Sequence, residues 1–402
     1  MKICLVKCQS KFLIDDRVYP PLGLMAVGAG LRQHNHEVII YDGDLAGIPM
    51  DCEGYGFGPT APEYPYALAA KRAIEHQTIS SRIVLGGPHA TFSYTSCLAD
   101  GWDSVVVGDG EISASRAFTT SASFIKSEEQ PLDNYPIPDR SLLPIHDYHF
   151  MLGGQLGTTL VTSRGCPFSC AFCCKVYKSV RLRSAESVIK EIGILQDEFR
   201  FSVLGFPEDI FILNRARTEK IAACLKERSI IWRCLARADL IVRYGQEFLN
   251  TLANSGCVSI SMGIESGSTK ILKTVNKGET PKTFLTAIRM LKEAGIPSRG
   301  YFMVGLPGED ETTLSETERF LQKAKLGDAV FYVYQPYPGS AIYDKRDQFD
   351  IAWNGHPLSD SFFKGKPGEE RSNVSTSKLS SNRITEACRS LEKKYTTSIP
   401  TR

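Results

Sequence analysis

Short apolar runs alternate with longer amphipathic stretches through the first 110 residues of the chain. The apolar runs have the length of strands, and glycine or acidic residues follow them. The predicted strands are Lys2–Lys7, Glu37–Tyr41, Gly54–Gly58, Arg82–Leu85 and Ser104–Val107. Helical spacing of small and apolar residues predicts helices at Leu22–Gln33 and Pro65–Gln77. This alternation, with glycine-bearing loops after the strands, is typical of an open parallel sheet whose loop edge receives a ligand.

One crossover of this predicted sheet is short. About a dozen residues separate Asp42 from Gly54, and a right-handed crossover usually needs that length for its helix alone. We therefore predict that one helix of the usual pattern is missing between the second and third strands.

The alternation continues after residue 150. The predicted strands are Thr158–Thr162, Ser202–Phe206, Ile231–Leu235, Val258–Met262, Ser298–Val304 and Ala329–Tyr334. The predicted helices are Ala185–Phe199, Ala216–Arg228, Tyr244–Asn254, Pro281–Ala294 and Leu314–Ala324. Six such repeats predict a partial (β/α)6 barrel of the TIM type, with its active face at the carboxyl ends of the strands.

A proline-rich segment separates the two alternating regions. Glu128–Pro144 contains four prolines and predicts irregular structure, as expected of a linker. The predicted division is a Rossmann-like domain at 1–127, a linker at 128–149, the barrel at 150–340 and a short C-terminal segment at 341–402. The predicted fold class is therefore α/β, an open parallel sheet followed by a partial barrel.

Composition limits the class of protein. The chain has 402 residues, of which 42% are hydrophobic and 23% charged, and this is ordinary globular material. Its net charge of +2 gives no global electrostatic reason to expect a nucleic-acid or anionic-membrane partner. No apolar stretch has the length of a membrane span, and the twelve cysteines are scattered apart from one cluster. We expect a cytoplasmic protein with reduced thiols.

The one cysteine cluster carries the strongest chemical signal. Cys166, Cys170 and Cys173 have the spacing C-x3-C-x2-C and follow a predicted strand. Such a set can bind three irons of a [4Fe-4S] cube and leave the fourth open. A closed zinc site would need a fourth ligand, and adjacent Cys174 offers poor geometry. Cys174 is better explained as a small buried neighbour.

The cysteine motif, with Phe172 before its last cysteine, resembles the cluster motif of the radical S-adenosylmethionine (radical SAM) superfamily. Later segments resemble the strand ends of the barrel of that superfamily, in the same order. They are Gly205–Phe211, Ala236–Asp239, Gly263–Ser268, Phe302–Glu309 and Tyr337–Ser340. The N-terminal region resembles the cobalamin-binding-type (B12-binding-like) domain that precedes the barrel in one branch, through Pro20–Leu24, Gly86–Thr91 and Gly108–Glu111.

The resemblance implies a [4Fe-4S] cluster on the three cysteines and S-adenosylmethionine (SAM) as cofactors. It implies reductive cleavage of SAM and hydrogen abstraction from a substrate by the 5'-deoxyadenosyl radical. By motif position, Glu208, Arg237, Ser261 and Glu265 are expected to contact the ribose and methionine parts of SAM. Phe172 and the turn Gly305–Pro307 are expected to contact adenine. A structural ion pair between Arg237 and Glu265 is the alternative for those two residues.

The sequence leaves two functions open. A cobalamin-dependent methyltransferase is typical of this branch. Against it stand the missing crossover helix, Gly58-Pro59 where the cobalamin pattern favours a serine after the glycine, and a tail of only about 60 residues after the barrel. The motif D-x-H-x-x-G is also absent, with Asp44 in place of the histidine. We therefore favour a cobalamin-independent lyase that dehydrates a small polar substrate, as in radical SAM dehydratases of aminoglycoside biosynthesis.

Carboxylates and a histidine at predicted loop edges are the candidate acids and bases for such a reaction. They are Asp42, Asp44, Glu53, His89, Asp109, Glu111 and Asp209. For any single one of these carboxylates, turn capping and solvation are the favoured explanation. The expected partners are a small sugar or aminoglycoside and an external one-electron reductant such as flavodoxin or ferredoxin, with no nucleic acid and no membrane.

Overall fold

The computed structural model describes residues 1–10, 13–78, 80–177, 179–354 and 369–397. It divides the chain into two compact units, one containing Met1–Tyr148 and one that begins at His149. Within the described ranges, no helix is both long enough and apolar enough to cross a bilayer.

Six parallel strands form the sheet of the first unit. They are β1 (Lys2–Val6), β2 (Glu37–Tyr41), β3 (Gly54–Phe57), β4 (Arg82–Leu85), β5 (Ser104–Val107) and β6 (Phe124–Lys126). The helices are α1 (Leu22–Gln33), α2 (Tyr64–Gln77), α3 (Gly87–Ala99) and α4 (Gly110–Thr119). The strand order is β2-β1-β3-β4-β5-β6, so the winding direction reverses between β1 and β3. In open α/β sheets, ligands bind outside the carboxyl ends of the strands at such a switch point.

The crossover between β2 and β3 contains a single 3-10 turn, Leu45–Gly47, which confirms the predicted loss of a helix. Side chains fill its place, since Ile48 is buried in the same apolar cluster as Tyr55, and Tyr66 packs against that cluster. The Tyr66 hydroxyl also donates a 2.8 Å hydrogen bond to the Gly43 carbonyl. The shortened crossover therefore removes helical cover from the sheet face over β1 and β3, since it passes from β2 across β1 to β3.

Helices α1 and α4 approach each other at a glycine. An added Cβ at Gly30 would lie 1.8 Å from the Glu111 carbonyl oxygen, whereas one at Gly23, in the same helix, would meet nothing within 4 Å. We expect Gly30→Ala to destabilise the first unit by about 2 kcal/mol or more, because backbone must move. Gly23→Ala should be neutral or stabilising by about 0.5 kcal/mol. Urea unfolding of both variants checks the pair, and equal stabilities would contradict the close approach.

The proline-rich segment contains only 3-10 turns, at Leu132–Asn134, Arg140–Leu142 and Ile145–Asp147. It packs on the first unit, because Asp139 forms a 2.6 Å ion pair with Arg32 of α1 and its backbone N–H donates to the Met25 carbonyl. The segment is therefore irregular, as predicted from its prolines, yet it is fixed to α1.

The second unit has six parallel strands that neighbour one another in chain order. They are β7 (Thr158–Thr159), β8 (Val203–Phe206), β9 (Ile231–Ala236), β10 (Cys257–Glu265), β11 (Ser298–Val304) and β12 (Asp328–Val333). The helices are α5 (Ala185–Asp197), α6 (Arg215–Glu227), α7 (Ala238–Asn254), α8 (Thr269–Thr274), α9 (Pro281–Glu293), α10 (Glu311–Ala324), α11 (Ala341–Asp344) and α12 (Ser381–Tyr395). Short strand pairs add Met151–Leu152 with Gln155–Leu156, Ser163–Arg164 with Arg181–Leu182, and Ala352–Trp353 with Val374–Ser375. The predicted fold class is confirmed: an open Rossmann-like sheet is followed by a partial barrel.

The described part of the tail after the barrel contains a helix that its mixed composition does not indicate. Helix α12 begins after Ser380, whose hydroxyl accepts a hydrogen bond from the Arg383 backbone N–H. The helix buries Ile384, Cys388 and Leu391, which recur at helical spacing. Just after it, Thr396 donates a 2.7 Å hydrogen bond to the Ala329 carbonyl of β12. This helix therefore covers the last strand of the barrel.

Candidate functional site

The cysteine loop lies between the paired strands Ser163–Arg164 and Arg181–Leu182. Backbone bonds fix its middle: the Ala171 N–H donates to the Val275 carbonyl at 2.8 Å, and the Ile342 N–H donates to the Ala171 carbonyl at 3.1 Å. The Asn276 amide donates to the Ser169 carbonyl at 2.8 Å. The loop is therefore held by the segment after α8 and by α11.

Two of the three thiols of this loop are in contact. The Cys173 thiol donates to Cys170, and this bond, aided by the positive charges of Lys277 and Arg237, lowers the pKa of Cys170 to about 6. The same bond raises the pKa of Cys173. Burial raises the pKa of Cys166. The loop thus favours one thiolate in the absence of metal, and the thiolate is the form that binds metal.

The donor set fits a [4Fe-4S] cluster. Among the described residues, no three His, Cys, Asp or Glu side chains converge on a single ion. A cube does not require such convergence, because each iron takes its own cysteine. Cys174 is engaged elsewhere, since its thiol donates to the Tyr337 carbonyl at 3.6 Å, and burial raises its pKa to about 11.

Two cations lie against the aromatic residues of the loop. The Arg237 guanidinium, at the end of β9, is 3.5 Å from the ring centre of Phe168. The Lys277 ammonium is 5.9 Å from the ring centre of Phe172. Cations over aromatic faces are attracted by the ring quadrupole. The loop, the end of β9 and the segment after α8 therefore form one site.

A buried ion-pair network surrounds these cations. Lys277 pairs with Glu265 at 3.0 Å and with Glu279 at 3.7 Å, while Arg237 pairs with Glu279 at 3.3 Å and with Asp239 at 3.0 Å. Burial works to lower the pKa of Lys277, but the two glutamates outweigh it and raise that pKa. In this network Arg237 pairs with Asp239 and Glu279, whereas Glu265 pairs with Lys277. The direct Arg237–Glu265 ion pair considered as an alternative does not form.

Lys277 and Glu279 are functional candidates that sequence reasoning missed. They lie in the turn before α9, and neither has the spacing of a ligand motif. The only signal in the sequence was a lysine and a glutamate separated by one residue, in a segment that follows a predicted barrel strand. Burial of both side chains in the network gives them their importance.

The end of β10 is shaped to present Glu265. Its backbone adopts φ 65°, a left-handed conformation that non-glycine residues rarely hold. An added Cβ at Gly263 would lie 2.4 Å from the Glu265 carboxylate and 3.1 Å from the Lys277 ammonium. A side chain at position 263 would therefore displace the Glu265 carboxylate from this pair. Strained backbone of this kind is concentrated at functional sites.

Glu208 and its neighbours lie at the ends of β7 and β8. Both carboxylate oxygens of Glu208 accept hydrogen bonds from Thr162, one from its backbone N–H and one from its hydroxyl. Burial raises the pKa of Glu208 to about 7 and also raises the pKa of Asp209. Ser261, on β10, is buried. Glu208 thus joins the two strand ends, and its contact with SAM stays a prediction.

The turn predicted to meet adenine is closed by its own glutamate. Gly305 has φ 98°, and its N–H donates to the Glu309 carboxylate at 2.6 Å. An added Cβ at Gly305 would lie 2.9 Å from Ile384 of α12. Because the Gly305 N–H is taken, the predicted backbone contact with adenine would have to use the Gly305 carbonyl, and Pro307 has no N–H to offer.

The Glu309 carboxylate gives a pH-dependent prediction. Burial raises its pKa from 4.5 to about 8, so the folded state holds this proton more tightly than the unfolded state. The contribution of protonated Glu309 to the free energy of unfolding is fully present below about pH 4.5. It falls by about 1.4 kcal/mol per pH unit as the pH rises toward 8. We expect Glu309→Gln to flatten this decline in urea unfolding measured from pH 5 to 8. The exposed control Glu311→Gln should keep the wild-type slope, and a wild-type slope in Glu309→Gln would contradict the assignment.

The carboxylates predicted in the first unit differ in their surroundings. Asp42, after β2, accepts bonds from Lys7 at 3.1 Å, Arg17 at 3.1 Å and Tyr148 at 2.8 Å, so it ties the loop after β1 to the end of the linker. Asp44 is exposed two residues further on. Asp109 accepts a 2.8 Å bond from Tyr135, and Glu111 is buried in the first turn of α4.

His89 and Glu53 lie at opposite edges of that sheet. His89 is in the first turn of α3, after β4, with its ring stacked 4.0 Å from Tyr64, and burial lowers its pKa. Glu53 precedes β3, and its carboxylate accepts a 2.7 Å bond from the Lys2 N–H. Because the strands are parallel, Glu53 lies at the amino edge. Its predicted grouping with Asp42, Asp44 and His89 is therefore wrong, whereas those three do share the carboxyl edge.

A family model matches part of the second unit, and individual relatives match a larger share of the chain. Residues 160–321 match the family model described as the radical SAM superfamily. The chain is 28% identical to an uncharacterized methyltransferase from Pyrococcus horikoshii, over 81% of this chain and 78% of the relative. It is 27% identical to the anaerobic magnesium-protoporphyrin IX monomethyl ester cyclase of Rubrivivax gelatinosus, over 67% of this chain but only 54% of the cyclase.

A solved structure matches nearly the whole chain. The radical S-adenosylmethionine methyltransferase TsrM from Kitasatospora setae, with cobalamin and a [4Fe-4S] cluster bound, superposes with a TM-score of 0.69. The match covers 97% of this chain and 82% of TsrM at 15% sequence identity, so it concerns the fold.

Proposed function

The chain belongs to the radical SAM superfamily, and we propose that it is a cobalamin-dependent methyltransferase of that superfamily. Membership implies a [4Fe-4S] cluster and SAM as cofactors. The dehydratase that the sequence favoured finds no support among the relatives, and neither does a role in natural-product biosynthesis. The methyltransferase alternative agrees better with them.

The observation that carries the proposal is the extent of the structural match. It includes the first unit as well as the barrel, and the matching protein has cobalamin bound. The missing crossover helix argued against cobalamin in the sequence. The fold match with the cobalamin-bound protein covers 97% of this chain despite that loss, so the objection loses its force.

The carboxyl edge of the first unit fits a large flat ligand. A Cβ added at Gly58 would lie 3.6 Å from Leu24, and one added at Gly86 would lie 3.8 Å from Val106, so each strand end is in ordinary contact with its neighbours and has no side chain of its own. The loops after β3 and β4 are also packed together, since an added Cβ at Gly87 would lie 2.9 Å from the Gly58 backbone. Glycines of this kind let a ligand approach backbone closely.

In the second unit, the network around Lys277 supports binding of SAM beside the cysteine loop. When bound, the cluster supplies an electron, and SAM with cobalamin supplies the methyl group that is transferred. Lys277 and Arg237 offer positive charge to the SAM carboxylate, and Glu265 offers an acceptor to its ammonium or ribose groups. Phe172 and the Gly305–Pro307 turn are assigned to adenine. A one-electron donor such as flavodoxin or ferredoxin and a small-molecule substrate complete the proposal.

Cobalamin retention tests the proposal. The enzyme is reconstituted anaerobically with iron, sulfide and hydroxocobalamin, and the cobalt and iron contents are measured after gel filtration. We expect stoichiometric cobalamin in the wild type and about tenfold weaker binding in Gly58→Leu, with unchanged iron. The control Gln77→Leu, at the exposed last residue of α2 and therefore near the amino edge of the sheet, should retain cobalamin. A wild-type protein that loads iron but retains no cobalamin would contradict the proposal.

A further inference from the structure

The two faces of the curled sheet differ in burial. Along β11 buried and half-buried residues alternate strictly, and β9 shows the same alternation. Side chains of a strand point to opposite faces in turn. Trp232 and Cys234 of β9 and Phe302 of β11 are on the buried face, with Phe302 packed against Phe320 of α10. The half-buried residues therefore face the interior of the partial barrel.

The register shows which of these residues adjoin the site. An added Cβ at Gly263 points toward Glu265 and Lys277, so Gly263 marks the inner face. Gly263 pairs with Tyr301, and Tyr301 pairs in turn with Val330. Two residues further on, Met303 pairs with Tyr332. These four residues share the inner face with Gly263, on β11 next to the strand of Glu265 and on β12 beyond it.

The wall formed by these residues and Leu235 is apolar and aromatic. We call Leu235, Tyr301, Met303, Val330 and Tyr332 the inner wall; all five are half-buried. The rings of Tyr301 and Tyr332 lie 6.0 Å apart, inclined at 50°. Aromatic pairs favour such tilted arrangements, and a thioether adapts to a ring edge. The wall is thus suited to contact a flat apolar group.

The arginines on the same face, nearer the amino ends of β9 and β11, already contact other side chains. Arg299 forms a 2.8 Å ion pair with Asp328. The Arg233 guanidinium lies 4.7 Å from the ring centre of Phe150. A sugar or aminoglycoside carries a hydroxyl or amine on most carbons, and each one that is buried without a partner costs about 1–3 kcal/mol. Of the five inner-wall side chains, only those of Tyr301 and Tyr332 carry a hydroxyl that could hydrogen-bond such a group.

We propose that the inner wall binds a planar aromatic group of the substrate, and that this group carries or adjoins the atom that is modified. The proposal rests on the proposed function, because it names the class of methyl acceptor that the barrel takes. It replaces the sugar or aminoglycoside expected from the sequence. Tyr301 and Tyr332 determine specificity by stacking, and Met303 fills the space beside their rings.

The test measures binding, so it does not depend on methyl transfer. Indole-3-acetamide and methyl α-D-glucopyranoside serve as probes for saturation-transfer NMR on the anaerobically reconstituted holoenzyme. We expect saturable binding of the indole probe that Tyr332→Ala or Tyr301→Ala weakens about tenfold. Tyr332→Phe keeps the ring and should bind as the wild type does. The exposed control Tyr94→Ala, in the first unit, should also bind normally.

Three results would overturn the proposal that the inner wall binds an aromatic group. Binding of the glucoside that depends on Tyr301 or Tyr332 would overturn the proposal. Indole binding that neither substitution changes, or no specific binding of either probe, would overturn it as well. If the indole probe binds as expected while the enzyme retains no cobalamin, the proposed methyl transfer fails and the aromatic site stands.

Discussion

Cys170→Ala is expected to abolish SAM cleavage and to remove the [4Fe-4S] absorption of the reconstituted protein. Cys170 is the thiol whose pKa is lowered to about 6, by Cys173 and by the two neighbouring cations. It also follows Ser169 and precedes Ala171, whose backbone carbonyls are hydrogen-bonded to Asn276 and Ile342. Loss of this thiolate leaves one iron of the cube without its protein ligand, in a loop that cannot shift to compensate.

Cys174→Ala is the matched control for that result. Its thiol is one residue beyond the motif, donates to the Tyr337 carbonyl and has a pKa raised to about 11 by burial. We therefore expect wild-type iron content and wild-type formation of 5'-deoxyadenosine or S-adenosylhomocysteine. Iron analysis, visible spectroscopy and product chromatography check both variants. Retained iron in Cys170→Ala together with lost iron in Cys174→Ala would reverse the assignment of the ligands.

Lys277→Met is expected to weaken SAM binding by about tenfold or more and to destabilise the second unit. The side chain of Lys277 is nearly inaccessible, and it lies between Glu265 and Glu279. Removing one partner of a buried ion pair leaves an uncompensated charge, at a cost of about 3–5 kcal/mol. Glu265, held in a left-handed backbone conformation, would also lose the partner that orients its carboxylate.

Calorimetric titration of SAM and thermal unfolding measure these two effects separately. Lys273→Met is the control, since Lys273 is an exposed lysine on the neighbouring α8. It should leave both quantities unchanged. If Lys277→Met bound SAM with wild-type affinity, the ion-pair network would stabilise the fold without contributing to SAM binding.

The fold was predictable where the hydrophobic period was clear. The predicted helix Leu22–Gln33 and the predicted strand Ser298–Val304 match the structure residue for residue. Helix α12 was missed although Ser380 and the spacing of Ile384, Cys388 and Leu391 marked it, because the surrounding tail is polar. Helix α3 was missed because Gly86-Gly87-Pro88 indicates a turn, and the structure places Pro88 in the first helical turn, where its missing N–H costs nothing.

The site was predictable where a motif fixes the chemistry. The spacing of Cys166, Cys170 and Cys173 identified the loop, and the structure adds the contact between two of its thiols. Lys277 and Glu279 escaped because their importance comes from burial beside Arg237 and Glu265, which are distant in sequence. Glu53 was misplaced although it directly precedes the predicted strand Gly54–Gly58, which already puts it at the amino edge of a parallel sheet, where it accepts a hydrogen bond from the start of β1.

The fate of SAM tests the central claim most directly. The holoenzyme, loaded with cobalamin and reduced by flavodoxin, is incubated anaerobically with SAM, and the nucleoside products are quantified by chromatography and mass spectrometry. The account predicts S-adenosylhomocysteine, the product of methyl donation by SAM. Formation of 5'-deoxyadenosine and methionine without any S-adenosylhomocysteine would contradict the methyltransferase and restore the dehydratase.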